Sequence, residues 1–332
     1  MNDRQMLLNR LHASENIIRE TPAIHLDFAI DSNVDLFAKL EYSNGVGSIK
    51  DRPALWVLKR AIERGKIGPE TTILESSSGN FACALAVFCK MLGLNFVPVI
   101  DPNVSPLYEQ TLRFMCKNVV KVTERDDTGG FLKTRLKKIQ ELLNIYGDAF
   151  WTNQYENIDA VEAHYNMTGE EIAKLQVDYV FLGVSTGGTI AGVSQRIKEA
   201  NPDVRVIAVD AEGSVIFGGR PKPRHLPGLG SSITPALVGQ AQIDDVIIVP
   251  EVDAIDACWE LLQKHRLFVG ASTGSAYSAI GRYFAGRPQR SSSKVLFLCA
   301  DRGAAYMDSV FDPAWVAWRK QSEHQEVEAI HE

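Results

Sequence analysis

The sequence predicts an α/β protein of the doubly wound kind, and three observations carry the prediction. At 332 residues, 45% hydrophobic and 23% charged, the chain is long enough for two ordinary soluble domains. Short runs rich in β-branched residues recur along it and are apolar enough to be buried on both faces, as parallel strands are. Helix-length segments separate those runs, which is the alternation of a parallel sheet wrapped by helices. In chain order, the predicted strands are TTILESS (71–77), NFVPVI (95–100), NVVKVT (118–123), DYVFLGV (178–184), VRVIAVD (204–210) and SKVLFLCA (293–300). The predicted helices include 80–92, 130–146, 189–199 and 255–266, and no repeat, low-complexity tract or long linker interrupts the series. The polar ending RKQSEHQEVEAIHE is expected to be a frayed helix or mobile tail.

Composition removes several function classes. The formal net charge of −6 offers no broad attraction to nucleic acid or anionic lipid, and no basic cluster is interleaved with aromatic residues. Neither partner is expected. The start, MNDRQMLLNRLHASEN, breaks its short apolar run with charges and so lacks the core of a secretion signal. No apolar segment approaches the ~20 residues that span a bilayer. The five cysteines are odd in number and scattered, mostly inside apolar runs, so they read as small core residues and neither as a disulfide framework nor as a metal site. A reducing, cytoplasmic setting is expected.

In open α/β sheets, ligands sit beyond the carboxyl ends of the strands, where loops lead into helices. One such loop is YSNGVGSIKDRP, with Lys50 at the junction of a glycine-rich stretch and an apolar helix. By itself, Lys50 reads first as a solvated charge in a first helical turn, with Pro53 near the helix start. A second is ESSSGNFACALAVF, where hydroxyls and free N–H groups converge on a helix N-terminus beside Asn80. That arrangement suits a carboxylate, or is a plain helix cap. The third is GVSTGGTIAGV. There Ser185, Thr186, Gly187, Gly188 and Thr189 can cradle a phosphate, or form a tight structural turn. It has neither the Gly-Lys-Ser/Thr of a Walker loop nor GxGxxG spacing. The fourth is FVGASTGSAYSAI, with Ser272 and Thr273 at a helix start and Thr273 the better structural cap.

A loop lysine, a carboxylate cup, a phosphate cup and a serine-bearing loop together meet the needs of pyridoxal 5′-phosphate, which takes a lysine, phosphate donors and a partner for its ring nitrogen. The motifs GSIKDR, SSSGNFA, STGGTIAG, LPGLGSS (226–232), GASTGS and the early TPAIHL stand in the order and at the spacings of the fold-type II enzymes. From about residue 21 to 306 the chain resembles the cysteine synthase/cystathionine β-synthase family. The resemblance implies a tryptophan synthase β-like fold with two open twisted sheets flanked by helices. It further implies a larger cofactor-phosphate-binding domain of residues 1–40 and 151–332, a smaller mobile substrate-binding domain of residues 41–150, and a homodimer.

The resemblance also implies roles. Lys50 is the Schiff-base lysine and Asn80 the partner of the cofactor's 3′ oxygen. Ser185 to Thr189 hold the phosphate, and Ser272 meets the pyridine nitrogen without having to protonate it. Ser77, Ser78, Gly79 and Gln154 stand where the family binds the substrate carboxylate. Cysteine synthases usually carry proline and threonine where this chain has Ser76 and Ser77, threonine where it has Phe81, phenylalanine where it has Tyr155 and glycine where it has Ser185. This set resembles a narrower branch, the N-(2-amino-2-carboxyethyl)-L-glutamate synthases of staphyloferrin B-type siderophore pathways. Those transferases expel phosphate from O-phospho-L-serine and add the amine of L-glutamate to an aminoacrylate, on the way to 2,3-diaminopropionate. A doubly charged leaving group and a dicarboxylate nucleophile call for a cation and extra donors. Arg135 is the candidate cation, against the alternative of an exposed basic helix face, with Tyr155 and Ser185 as the added donors. A cysteine synthase using O-acetylserine or O-phosphoserine with sulfide is the nearest alternative. A dehydratase and a catalytically silent relative lie further off.

Overall fold

The computed structural model describes residues 3–27, 33–127, 129–287 and 292–331. Ten strands lie among them: β1 (Ala23–Leu26), β2 (Val34–Lys39), β3 (Thr72–Ser76), β4 (Asn95–Ile100), β5 (Val120–Lys121), β6 (Ala149–Trp151), β7 (Tyr179–Gly183), β8 (Arg205–Ala211), β9 (Asp245–Val249) and β10 (Ser293–Leu298). They form a six-stranded sheet in the order β1-β2-β10-β7-β8-β9 and a four-stranded sheet in the order β5-β4-β3-β6. Every pairing is parallel except β1 with β2.

The continuous apolar runs are explained by burial on both sheet faces. Along β7, Phe181 faces a core shared with Ile207, Phe297 and the helices Glu251–His265 and Ala271–Phe284, whereas Val180 and Leu182 face a second core shared with Val206, Leu296 and the helix Gly188–Ala200. Successive side chains on a strand point to opposite faces, so two apolar faces leave no polar alternation to read. The smaller sheet repeats the plan. Ile73 and Phe96 pack with the helix Asn80–Leu92, and Leu74, Val97 and Val99 lie on the side of the helix Leu132–Tyr146.

All six predicted strands and four predicted helices are present, most with ends shifted by a few residues. β6 is three residues long and β1 four, too short for periodicity to register. The C-terminal stretch is a helix, Pro313–His331. Its anchor is tertiary, since buried Arg319 reaches Glu251 at 2.9 Å. The carboxyl ends of β3, β7 and β10 deliver the loops that follow them, with Asn80, Ser185 and Asp301, to one crevice.

Candidate active site

The motif SIKDR is built by its neighbours. Lys50 is the N-cap of the helix Asp51–Glu63, so Pro53 occupies the third helical position, still inside the turn whose N–H groups have no helical partner. Asp51 turns back on the preceding loop, accepting from the N–H groups of Val46 at 2.7 Å and Gly47 at 3.0 Å. Burial pushes its carboxyl up to about 6 in spite of those bonds. The loop is strapped to the larger sheet by the Ile49 N–H, which donates to the Ala300 carbonyl at 2.8 Å. Arg52 is 1% exposed. Its guanidinium lies between Glu41 (Nε to Oε2, 2.8 Å) and Glu171 (Nη1 to Oε1, 2.6 Å), and Lys39 also reaches Glu171 at 2.5 Å. Two cations and two anions cancel inside the protein, holding the residue two places after Lys50 in one geometry.

Lys50 itself opens on a cavity whose wall includes Asn80, Ser185, Thr186, Gly187, Thr189, Ser272 and Asp301. Burial brings its ammonium down to about 8, partly opposed by the Glu75 carboxylate, so an uncharged amine is accessible near neutrality. Ser185, Thr186 and Gly187 lead into the helix that starts at Gly188, where free N–H groups favour an anion. Gly187 has φ +90°, and a Cβ there would lie 2.7 Å from the Val238 nitrogen, so only glycine closes this turn. The Ser185 hydroxyl donates to the Gly230 carbonyl at 3.2 Å, tying the cup to the LPGLGSS segment. Thr189 Oγ1 lies 3.2 Å from His164 Nε2, and His164 Nδ1 lies 3.0 Å from Thr168 Oγ1. Burial first, then the positive charges of Lys50 and Arg52, hold His164 well below its usual range, so this imidazole is neutral.

Gly79, Gly188, Ser77, Ser78, Gln154, Arg135 and Tyr155 are not among the wall residues of that cavity. Several of them form an adjoining cluster at the carboxyl ends of the smaller sheet. Arg135 Nη1 donates to Ser78 Oγ at 3.2 Å, and its Nε lies 3.2 Å from Asp101 Oδ2 without hydrogen-bond alignment. Ser78 Oγ in turn lies 3.3 Å from the same Asp101 oxygen. Arg135 is thus a partly buried cation and not part of a solvated helix face. The Tyr155 hydroxyl is pushed up by burial, against the pull of Arg135. Gln154 Nε2 donates to Glu75 Oε1 and to the Ser76 carbonyl, each at 3.3 Å. Thr273, read as a cap, instead accepts from the Ala300 N–H at 3.2 Å.

Sequence reasoning missed Asp301, Glu75, Asp101 and His164. Asp301 and Asp101 each follow the end of a predicted strand, the position that marks ligand-facing loops in this architecture, and that signal was available. Glu75 and His164 carried no local signal, because what distinguishes them is burial beside groups distant in the chain. Glu75 is wholly buried, accepts from Thr152 Oγ1 at 2.6 Å, and is pushed up to about 7 by desolvation.

A primary amine, an anion cup at a helix start and a serine hydroxyl on one cavity match the aldehyde, phosphate and ring nitrogen of pyridoxal 5′-phosphate, so the residues present fit that group. The chain belongs to the pyridoxal-phosphate dependent enzymes, whose family description matches residues 15–301. Among its relatives, it is 43% identical over 303 residues to the N-(2-amino-2-carboxyethyl)-L-glutamate synthase of Ralstonia nicotianae, covering 90% of this chain and 88% of that one. It is 40% identical over 305 residues to the enzyme of the same name from Cupriavidus metallidurans, covering 90% and 89%. The fold superposes on the O-acetylserine dependent cystathionine β-synthase of Helicobacter pylori with a TM-score of 0.82 at 29% identity, covering 89% of this chain and 96% of that structure. The larger family is therefore the one that the sequence motifs resembled.

Proposed function

We propose that this protein converts O-phospho-L-serine and L-glutamate to N-(2-amino-2-carboxyethyl)-L-glutamate and phosphate, a β-replacement that forms a carbon–nitrogen bond. The reading is supported by the two relatives of that name and carried by one observation of geometry. Arg135, a partly buried cation with its Nε unsatisfied, reaches the hydroxyl of Ser78 in the SSSGN loop. A dianionic phosphate departing there has a charge-assisted donor that a monoanionic acetate leaving group does not need.

The bound cofactor supplies an electron sink that acidifies the substrate's α-carbon. The residues of the chain do the rest. Ser77, Ser78, Gly79 and Gln154 bind the substrate carboxylate, while Ser185, Thr186, Gly187, Gly188 and Thr189 seat the cofactor phosphate. Asn80 and Ser272 address its ring. The Lys50 amine, uncharged once released, takes the α-proton. Arg135 compensates the departing phosphate, Tyr155 and Ser185 present hydroxyls to the incoming glutamate, whose amine bonds to the β-carbon and sheds one proton, and Lys50 returns the α-proton. We further propose a homodimer working in the cytoplasm, in the supply of 2,3-diaminopropionate for a siderophore. Among the described residues, no helix is long and apolar enough to cross a membrane.

The deciding experiment supplies purified enzyme with O-phospho-L-serine and follows free phosphate and product mass with glutamate or sulfide as acceptor. Glutamate-dependent phosphate release with one product holding both carbon skeletons is expected. Efficient cysteine formation and indifference to glutamate would make the protein a cysteine synthase.

A further inference from the structure

Asp301 is 3% exposed, stands immediately beyond β10 and forms part of the cavity wall, yet the chemistry above gives it no role. Its Oδ2 accepts from Asn80 Nδ2 at 2.7 Å and from the Tyr306 hydroxyl at 2.9 Å, while its Oδ1 is buried without a hydrogen-bond partner. The other end of the Asn80 amide is also taken, since Oδ1 accepts from the Tyr108 hydroxyl at 2.5 Å. Room for the carboxylate is made by Gly270, where a Cβ would lie 2.0 Å from Asp301 Oδ1. The main chain beside it is fixed from both sides, by the Lys50 loop through Ile49 and by the Ser272 helix through Thr273.

An asparagine amide can be flipped end for end at little cost, so its neighbours decide which end is the donor. Burial pushes the Asp301 carboxyl up, but Oδ2, which already accepts from Tyr306, is an acceptor in either state of the carboxyl. Asp301 therefore compels the Asn80 nitrogen to face it, the oxygen turns to Tyr108, and the second N–H is the donor left for the cavity. We propose that Asp301 is a positioning residue that locks Asn80 as a donor toward the ring oxygen of the lysine-bound cofactor. This rests on the reading of Asn80 as the partner of that oxygen. A donor held there favours the ionised oxygen, and thereby keeps the proton on the nitrogen joined to Lys50. Asn80 stands at the carboxyl end of the smaller sheet and Asp301 at that of the larger, so the bond also spans the two halves of the site.

The test uses the holoenzyme without substrates and reads the cofactor's absorption spectrum and its dissociation constant. Asp301→Asn keeps the shape but can donate to Asn80, which frees the amide to flip. The visible band should lose intensity to the near-ultraviolet band, and cofactor affinity should fall about tenfold, the scale of one lost hydrogen bond to a charged group. Tyr306→Phe, which removes only one support of the carboxylate, should shift the spectrum the same way to a smaller extent, and decides the matter if Asp301→Asn does not fold. Asn80→Ala is the control for the underlying reading. If it changes spectrum and affinity while the Asp301 and Tyr306 variants only lower the melting temperature, Asp301 is a structural carboxylate and the inference fails alone. If Asn80→Ala changes neither, the reading of Asn80 fails and the inference with it. The substrate assignment is untouched by any of these outcomes, because no substrate is present.

Discussion

Lys50 illustrates how one residue's chemistry is set by what surrounds it. Its folded-state value of about 8 lies below that of a free lysine, so the amine is increasingly uncharged as pH rises through 8. The rate at which cofactor-free enzyme captures pyridoxal 5′-phosphate, followed by visible absorbance, should climb through that pH and level off above it. Lys50→Ala should hold cofactor loosely and turn over nothing, and normal turnover by that variant would remove the assignment. A second residue-scale prediction concerns Arg135. A charge-assisted bond to a desolvated anion is worth about 1.5–3 kcal/mol, so Arg135→Ala should lower kcat/KM for O-phospho-L-serine roughly ten- to a hundredfold. Asp101 competes for the same guanidinium from 3.2 Å. Asp101→Asn should therefore tighten inhibition by inorganic phosphate, and weaker inhibition would show that the carboxylate orients Arg135 and does not compete for it.

At the scale of elements, the helix Asp51–Glu63 joins the proposed catalytic lysine to the frame. Its N-cap is Lys50, and Arg52 in its first turn is locked between Glu41 and Glu171. Removing one member of a buried, balanced charge group strands the others, at a typical cost of about 3–5 kcal/mol. Arg52→Met should thus lower the urea midpoint by a corresponding amount. Arg52→Lys should recover part of the loss, because it restores the charge without the two-pronged geometry. Equal stability of all three proteins would mean that the cluster contributes nothing. The motif SIKDRP was legible as a site because a lysine follows a glycine-rich loop. The reason for Arg52 was not legible, since its partners lie 11 and 119 residues away.

Across the whole molecule, the residues proposed for the cofactor's phosphate and ring nitrogen lie on the larger sheet, and those proposed for the substrate, with Asn80, lie on the smaller one. Ser185 and Ser272 follow strands and loops of the larger one, whereas Ser77, Ser78 and Arg135 belong to segments packed on the smaller one. We propose that residues 23–40 with 151–331, and residues 41–150 with the N-terminal helix, act as two units, the smaller closing on bound substrate. The N-terminal helix Asp3–Glu15 packs Leu7 and Leu11 into the core of the smaller sheet, so it would travel with that unit. Hydrogen exchange of the amides at 77–80 should slow when O-phospho-L-serine is added to holoenzyme, with those at 185–189 little changed. Equal slowing in both loops would speak against closure by one unit.

The sequence by itself determined the strand-and-helix alternation and the cofactor, and it singled out the loop lysine and the two helix-start loops that we propose serve it. Each of these depends on residue types within one loop or one turn, and such local chemistry survives being read in one dimension. Tertiary structure alone decided the rest. The neutral state of His164, the depressed lysine, the orientation of the Asn80 amide and the Arg52 cluster all arise from burial and from partners distant in the chain. Asn80 and Asp301 are 221 residues apart and meet at 2.7 Å. No periodicity or spacing encodes that meeting, because it exists only once two sheets have folded and their strand ends face one another.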